Sequence, residues 1–150
     1  MRLVDSGCVG AEDVHDVTAS WVEQLAPWDT IGHFTFRWEA SIWSAERCVR
    51  KFMRRELRGA SYFAALERNP SRDGYHCHML LAGCRSKNRK LQIWSPWFER
   101  YGRALVEPIR DGPAEIAGYC AKYVTKEDSW WWPEIQWHHR ECGKEVRLAA

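Results

Sequence analysis

The sequence lacks any apolar run that approaches the roughly 20 residues of a membrane-spanning helix, and its first residues lack the apolar segment of a secretory signal. It also lacks a marked excess of charge, because 22 Lys and Arg nearly balance 20 Asp and Glu. Overall charge therefore gives no basis for binding nucleic acid, so any such binding depends on local basic clusters. We expect a soluble protein without a membrane anchor.

Paired cysteines are missing as well. No C-x-x-C pair occurs among the 6 cysteines, which lie at Cys8, Cys48, Cys77, Cys84, Cys120 and Cys142. Without a secretory signal, this scatter excludes a disulfide-stapled secreted domain and predicts reduced thiols in the cytosol.

Apolar residues are plentiful enough for a packed core, because 45% of the 150 residues are hydrophobic and 10 are Trp. We expect a single domain over residues 1–150, without internal repeats. A loose arm at 1–12 precedes its first element, and a Trp-rich tail at 127–150 follows its last. The sequence of this tail indicates no secondary structure, and we expect at most an arm packed on the domain.

Hydrophobic periodicity predicts an α+β fold in which an antiparallel sheet of about five strands is flanked by helices. The predicted strands are 30–38, 61–68, 75–83 and 104–109. The predicted helices are 13–26, 44–58 with Ser44 as its N-cap, 95–102 and 114–126.

Two histidines, His76 and His78, lie two residues apart on a predicted strand, so their side chains share one face while Cys77 points to the other. If the residues flanking the six-residue loop at 69–74 pair as a hairpin, Glu67 lies opposite His76 with Cβ atoms ~5 Å apart. One carboxylate and two imidazoles would leave coordination positions open, as in a catalytic site for Mn²⁺ or Mg²⁺, with Zn²⁺ less suited. The alternative is two imidazoles on an ordinary strand, because an H-x-H pair also arises by chance.

Two tyrosines, Tyr119 and Tyr123, are four residues apart on the last predicted helix, so they share one face. Each is followed three residues later by a lysine, Lys122 or Lys126. Tyrosines at this spacing can simply pack on a sheet while the lysines extend past them to solvent. That alternative explains the aromatic pair but not the paired lysines.

Three motifs follow one another along the chain: the strand His33-Phe34-Thr35-Phe36, the pair His76-Cys77-His78 preceded by Glu67, and the segment from Tyr119 to Lys126. In this order, over about residues 13–126, they resemble the HUH-endonuclease superfamily, specifically the rolling-circle replication initiator (Rep) proteins of phages, plasmids and small DNA viruses. The resemblance implies a ferredoxin-like or RRM-like sheet. Cys77 departs from the pattern, because a bulky aliphatic residue is commoner there.

The resemblance also implies an activity. A divalent metal held by Glu67, His76 and His78 would assist a tyrosine in nicking single-stranded DNA at an origin or hairpin, leaving a 5′-phosphotyrosine adduct and a free 3′-OH. Tyr119 is expected to attack first and Tyr123 to make the second cut. Lys122 would serve Tyr119 and Lys126 would serve Tyr123, by neutralising phosphate charge or stabilising phenoxide.

The same resemblance implies partners and a location. No helicase region follows the tyrosine motif, so we expect a helicase and a polymerase from the host or the replicon, with no membrane partner. The protein would act in the cytoplasm of the host cell, or in the nucleus if the replicon is a eukaryotic virus. The oligomeric state stays open.

Basic residues that could grip the strand form two groups. One is the loop with Arg85, Lys87, Arg89 and Lys90, and the other is the arginine-rich helix around Arg54 and Arg55. The alternative is that the arginine-rich helix face is merely solvated.

Three other functions fit parts of the pattern. A single-tyrosine transposase belongs to the same superfamily. An iron oxygenase also uses two histidines and one carboxylate, although it usually carries the carboxylate beside the first histidine. A non-catalytic RNA- or DNA-binding module would need exposed aromatic residues on the histidine face of the sheet, where Phe63 is expected to lie.

Overall fold

The fold consists of a five-stranded sheet with helices packed on it. The computed structural model describes residues 11–124, 126 and 128–136. Its strands are β1 (Trp28–Phe34), β2 (Ser61–Arg68), β3 (Tyr75–Ala82), β4 (Ala104–Pro108) and β5 (Trp130–Glu134). They form one antiparallel sheet in the order β4-β1-β3-β2-β5.

The flanking helices are α1 (Ala11–Leu25), α2 (Ile42–Glu56), α3 (Ser95–Arg100) and α4 (Pro113–Val124). A π-helical segment, Lys90–Trp94, leads into α3. The predicted α+β class with a five-stranded antiparallel sheet is confirmed.

The two faces of the sheet carry separate apolar layers. Alternation along β3 sends Cys77 and Met79 to one face, where α2 and α3 cover them through residues such as Phe52. His78 and Leu80 point to the other face, which α1 and α4 cover. The prediction that Cys77 faces away from the histidine pair is therefore correct.

The hairpin of β2 and β3 has the predicted register, with Glu67 directly opposite His76. Its loop is closed by the backbone N–H of Asn69, which donates to the Gly74 carbonyl at 2.9 Å. Gly74 has a φ of 91°, and a Cβ there would lie 2.8 Å from the backbone nitrogen of Ala40. The loop therefore packs tightly against the segment that precedes α2.

Strand β1 ends at Phe34 rather than at 38 as predicted. Beyond it, the backbone N–H groups of Thr35 and Arg37 donate to the carbonyls of Arg103 and Tyr101, both at 2.8 Å. These bonds tie the segment to the residues just before β4, so it leaves the regular ladder while remaining attached to the sheet.

Several helix ends also differ from the prediction. Ser41 caps α2, and its hydroxyl accepts the Ser44 N–H at 3.2 Å, so Ser44 lies in the first turn and is not the N-cap. Helix α1 starts at Ala11, which makes 11–12 helical, while the rest of the predicted arm lies outside the described residues. Among the helices of the described segments, none is both long and apolar enough to cross a membrane.

Part of the tail is the fifth strand of the sheet. β5 pairs with β2, Trp132 opposite Ala64, and Trp132 is buried. Pro133 is tolerated because β5 is an edge strand whose outer side needs no N–H donor. Residues 137–150, like Cys8, lie outside the described residues.

Candidate metal and tyrosine site

Strand register brings a third histidine to the predicted pair. His33 on β1 lies directly opposite His78 on β3, and directly paired residues of antiparallel strands share a face. The rings of His33 and His78 are stacked with centroids 4.6 Å apart, and the His76 ring stands edge-on to His33 at 5.0 Å. Nitrogens of all three side chains lie within 4.8 Å of one another, close enough to bind one metal ion.

Glu67 completes this cluster as predicted. One of its carboxylate oxygens, Oε2, lies 3.5 Å from Nε2 of His76 and 3.4 Å from Nε2 of His78. The buried Nε2 of His33 has no hydrogen-bond partner within the described part of the chain. Convergent imidazole nitrogens, one of them unpaired, beside a carboxylate are a donor set that fits a divalent metal ion.

His76 is oriented by a residue outside the predicted site. Its Nδ1 lies 3.1 Å from Oδ1 of Asn69, the first residue of the hairpin loop, and Asn69 is itself held by an Nδ2 bond to the Asp73 carbonyl at 3.2 Å. When Nδ1 carries the proton and donates to Asn69, Nε2 is unprotonated and free to bind a metal. A hydrogen bond to Asn69 would therefore favour the tautomer of His76 that leaves Nε2, 2.9 Å from Nε2 of His78, without a proton.

All three imidazoles are held in the neutral form. Burial, followed by the neighbouring His33 and His76, lowers the pKa of His78 to about 2. Burial likewise lowers the pKa of His33 and of His76. Neutral imidazole is the form that binds metal, so protons do not compete for the cluster at neutral pH.

Helix α4 places both predicted tyrosines over this cluster. The ring of Tyr123 stacks on His78 with centroids 4.1 Å apart, and only 2% of Tyr123 is exposed. The Tyr119 ring stands edge-on to His78 at 6.0 Å, and its hydroxyl donates to the Gly32 carbonyl at 3.1 Å. The phenols, the imidazoles and the carboxylate predicted from separate motifs thus lie together on one face of the sheet.

Both predicted lysines lie beside Tyr123. Nζ of Lys122 is 5.3 Å and Nζ of Lys126 is 5.9 Å from the centre of its ring. Because α4 ends at Val124, Lys126 is not on the helix as expected, and its ammonium pairs with Glu67. Both ammonium groups thus lie near the ring of Tyr123, and the expected assignment of one lysine to each tyrosine stays a prediction.

The phenols are protonated at neutral pH. Burial raises the pKa of Tyr123 to about 12, and the Glu67 charge raises it further while Lys126 opposes both. Burial also raises the pKa of Tyr119 well above its usual value. A phenol that served as a nucleophile here would therefore have to lose its proton as it reacted.

The predicted DNA-binding groups lie away from the cluster. Arg54 and Arg55 are exposed on α2, which covers the opposite face of the sheet. Lys87 and Arg89 come after the far end of β3, and that end is itself roughly 13 Å of extended strand from His78. The structure does not bring these four residues together with the histidines, and their binding of DNA stays a prediction.

His33 and Asn69 are the site residues that sequence reasoning missed. The sequence placed His33 on a predicted strand and in the first motif of the resemblance but gave it no ligand role, because the pairing of β1 with β3 is not local in the chain. Comparisons of the chain with protein-family models, with curated proteins and with solved structures find no match. Any functional proposal therefore rests on the chemistry of the cluster, in which three imidazoles and a carboxylate lie beneath two phenols.

Proposed function

We propose that this protein nicks and rejoins single-stranded DNA by transesterification to a tyrosine, as the initiators of rolling-circle replication in the HUH superfamily do. The stacking of Tyr123 on His78 is the observation that supports this most, because it puts a phenol against a candidate metal ligand. A replication origin or its hairpin is the proposed substrate, and a helicase and polymerase of the host or replicon are the proposed partners.

The proposed metal ligands are His33, His76, His78 and Glu67. An ion bound there would act as a Lewis acid on the oxygens of the scissile phosphate. Three imidazoles favour Mn²⁺ or Zn²⁺ over Mg²⁺, which prefers oxygen ligands and water. Of the two ions expected from the sequence, Mn²⁺ therefore fits this donor set better.

In the proposed reaction, the phenol oxygen forms a bond to phosphorus and the bond from phosphorus to the 3′ oxygen breaks. The phenolic hydrogen ends on the released 3′ oxygen, which gives a 3′-OH and a 5′-phosphotyrosine. Lys122 and Lys126 carry positive charge beside Tyr123, where it would offset the negative charge of the phosphate and the negative charge that develops on the phenol oxygen as its proton leaves. The adduct keeps the bond energy, so the reverse reaction rejoins the strand.

Tyr123 is the proposed first nucleophile. Sequence reasoning favoured Tyr119, but the hydroxyl of Tyr119 is bonded to the Gly32 carbonyl and the lysine contacts go to Tyr123. Tyr119 is then available for a second transfer from the same helix face, which favours an initiator over a single-tyrosine transposase.

The other two alternatives fit the geometry less well. An iron oxygenase of the two-histidine type would leave the stacked tyrosine and both lysines without a role. A base-stacking module needs an exposed aromatic, whereas Phe63 is fully buried beneath neighbours that include Trp131, with ring centroids 5.7 Å apart.

The test is formation of a covalent adduct. The protein is incubated with Mn²⁺ and a labelled library of single-stranded and hairpin DNA, then separated on a denaturing gel. We expect a labelled, SDS-resistant band that EDTA prevents and that the double variant Tyr119→Phe/Tyr123→Phe lacks. Metal binding without any band across the library would contradict the proposal.

A further inference from the structure

A cavity of about 580 Å³ opens at the end of the sheet next to His76. Its walls come from the segment after β1, the hairpin loop and the residues just before β4, and they include Thr35, Asn69 and Gly102. Asn69 lines this cavity and also binds Nδ1 of His76. One side chain therefore borders both the cavity and the candidate metal site.

The lining of this cavity is strongly basic. Arg37, Arg72 and Arg103 line it, and no acidic residue does. Arg37 donates to the carbonyls of Phe98 and Glu99. These bonds hold the guanidinium in place and leave some of its five N–H donors for a ligand.

The other two arginines have spare donors as well. Arg72 donates one bond, to the Phe36 carbonyl. The exposed side chain of Arg103 forms no ion pair with an acidic group of the described residues. Three guanidinium groups without a carboxylate between them are suited to phosphate, which they bind by paired N–H donors.

Arg103 is also close to the strands that carry the histidines. Its carbonyl accepts the Thr35 N–H, and Thr35 comes two residues after His33 on the same run of chain. Arg103 directly precedes β4, in which Leu105 pairs with His33. The basic residues on α2, by contrast, are on a helix that covers the face away from the histidines.

We propose that this cavity, formed around Arg37, Arg72 and Arg103, binds backbone phosphates of the DNA strand directly next to the phosphate that is cleaved. The proposal rests on the proposed nicking function. A volume of about 580 Å³ falls within the ~300–1,000 Å³ of sites for small ligands, so it admits a short stretch of single strand. The cavity would fix the register of the strand over the histidines.

The test measures binding without cleavage. A fluorescent single-stranded oligonucleotide from the library of the adduct assay, chosen because the unchanged protein binds it, is titrated in EDTA over a range of salt concentrations. Arg103→Ala is the main variant because, within the described residues, the Arg103 side chain forms no hydrogen bond or ion pair. We expect at least a fivefold rise in Kd and a reduction of about 0.7 in the slope of log K against log salt, the value for one phosphate of a single strand.

Arg110→Ala serves as the matched control, because it removes one exposed arginine that does not line the cavity. We expect this control to bind as the unchanged protein does. An unchanged Kd for Arg103→Ala would overturn the proposal, and weakened binding by Arg54→Ala or Lys87→Ala in that case would place the strand on the surface of the weakened variant.

A second measurement locates the contact. Oligonucleotides with one neutral methylphosphonate at successive positions are compared on the unchanged protein and on Arg103→Ala. We expect one position near the cleaved bond to weaken the unchanged protein but not the variant. Equal losses at every position would count against a fixed phosphate site.

The adduct assay separates this proposal from the nicking function. Adduct formation at the normal level with no effect of Arg103→Ala on binding or cleavage would overturn the cavity proposal alone. Weaker binding by Arg103→Ala without an adduct under any metal would overturn the nicking function, while supporting the cavity as a strand-binding site.

Discussion

His33 and His78 lie directly opposite each other on β1 and β3, and their imidazole rings stack with planes only 2° apart. The pair joins two motifs that are far apart in the sequence, and it turns a two-histidine site into a three-histidine one. Because the backbone register of β1 and β3 fixes this stacking, the site is held by two interior strands of the sheet. Ligands placed on strands are positioned more accurately than ligands on loops.

The first prediction concerns His33 as a ligand. His33→Ala should weaken Mn²⁺ binding at least tenfold, because it removes one of three convergent imidazoles. Isothermal titration calorimetry measures this change. Leu105→Ala is the matched control, since Leu105 pairs with His33 across the sheet but is an exposed, non-ligating residue. Unchanged affinity in His33→Ala would leave Glu67, His76 and His78 as the ligand set.

The second prediction separates the two tyrosines. Tyr123→Phe should abolish the first DNA adduct, because this ring has the lysine contacts and the stacked imidazole. Tyr119→Phe should keep the adduct and lose about 1 kcal/mol of stability with its bond to the Gly32 carbonyl. Adduct gels and thermal unfolding measure the two effects. The reverse pattern on the gel would assign the first attack to Tyr119.

A third prediction tests how tightly the hairpin loop packs. Gly74→Ala should destabilise the protein by more than Gly59→Ala, although both glycines have a positive φ. Either substitution should lower the free energy of unfolding by about 1–2 kcal/mol, because alanine disfavours the left-handed conformation. Only at Gly74 would the new Cβ also meet backbone atoms, 2.8 Å from the nitrogen of Ala40. Denaturant unfolding of both variants measures the difference. Equal losses of unfolding free energy would mean that the loop shifts to make room for the new Cβ at no energetic cost.

A fourth prediction follows from the buried thiol of Cys84. Burial raises the pKa of Cys84 to about 12 from a usual value of 9.0. A raised pKa means that the folded state holds the thiol proton more tightly than the unfolded chain does. The stabilisation of the folded state that results is complete below pH 9.0 and is lost as pH rises toward 12. The free energy of unfolding should therefore fall over this range.

The variant Cys84→Ala tests that assignment. Its unfolding free energy should fall less steeply between pH 9 and pH 11 than that of the unchanged protein, because the titrating thiol is gone. Urea unfolding at fixed pH values gives the two slopes. Cys48→Ala, which removes a less buried thiol, is the control. Identical slopes in all three proteins would show that other groups govern alkaline unfolding.

The parts of the site that the sequence predicted are the local ones. Glu67 and His76 flank a short loop, so hairpin geometry alone fixed their pairing. His33 could not be placed in the same way, because its pairing with His78 depends on which strands become neighbours in the sheet. Strand order depends on how both faces of the sheet pack, and this packing cannot be inferred from a short segment of the sequence.

The tail shows the same limit. Trp130 to Glu134 has no alternation of polar and apolar residues and contains a proline, so no strand was predicted there. It is a strand because the edge of β2 offers unpaired backbone groups and Trp132 fills the apolar layer beneath. The end of α4 at Val124 was missed for a related reason, since the pairing of Lys126 with Glu67 involves a residue distant in the chain.

The ring of Tyr123 covers His78 so closely that only 9% of this histidine is exposed. In the proposed reaction, a DNA strand would reach the imidazole only after the tyrosine side chain had rotated outward, and the same rotation would expose the hydroxyl. Entry of the substrate and exposure of the attacking group would then be a single movement. Before that movement, the buried Tyr123 side chain is shielded from solvent.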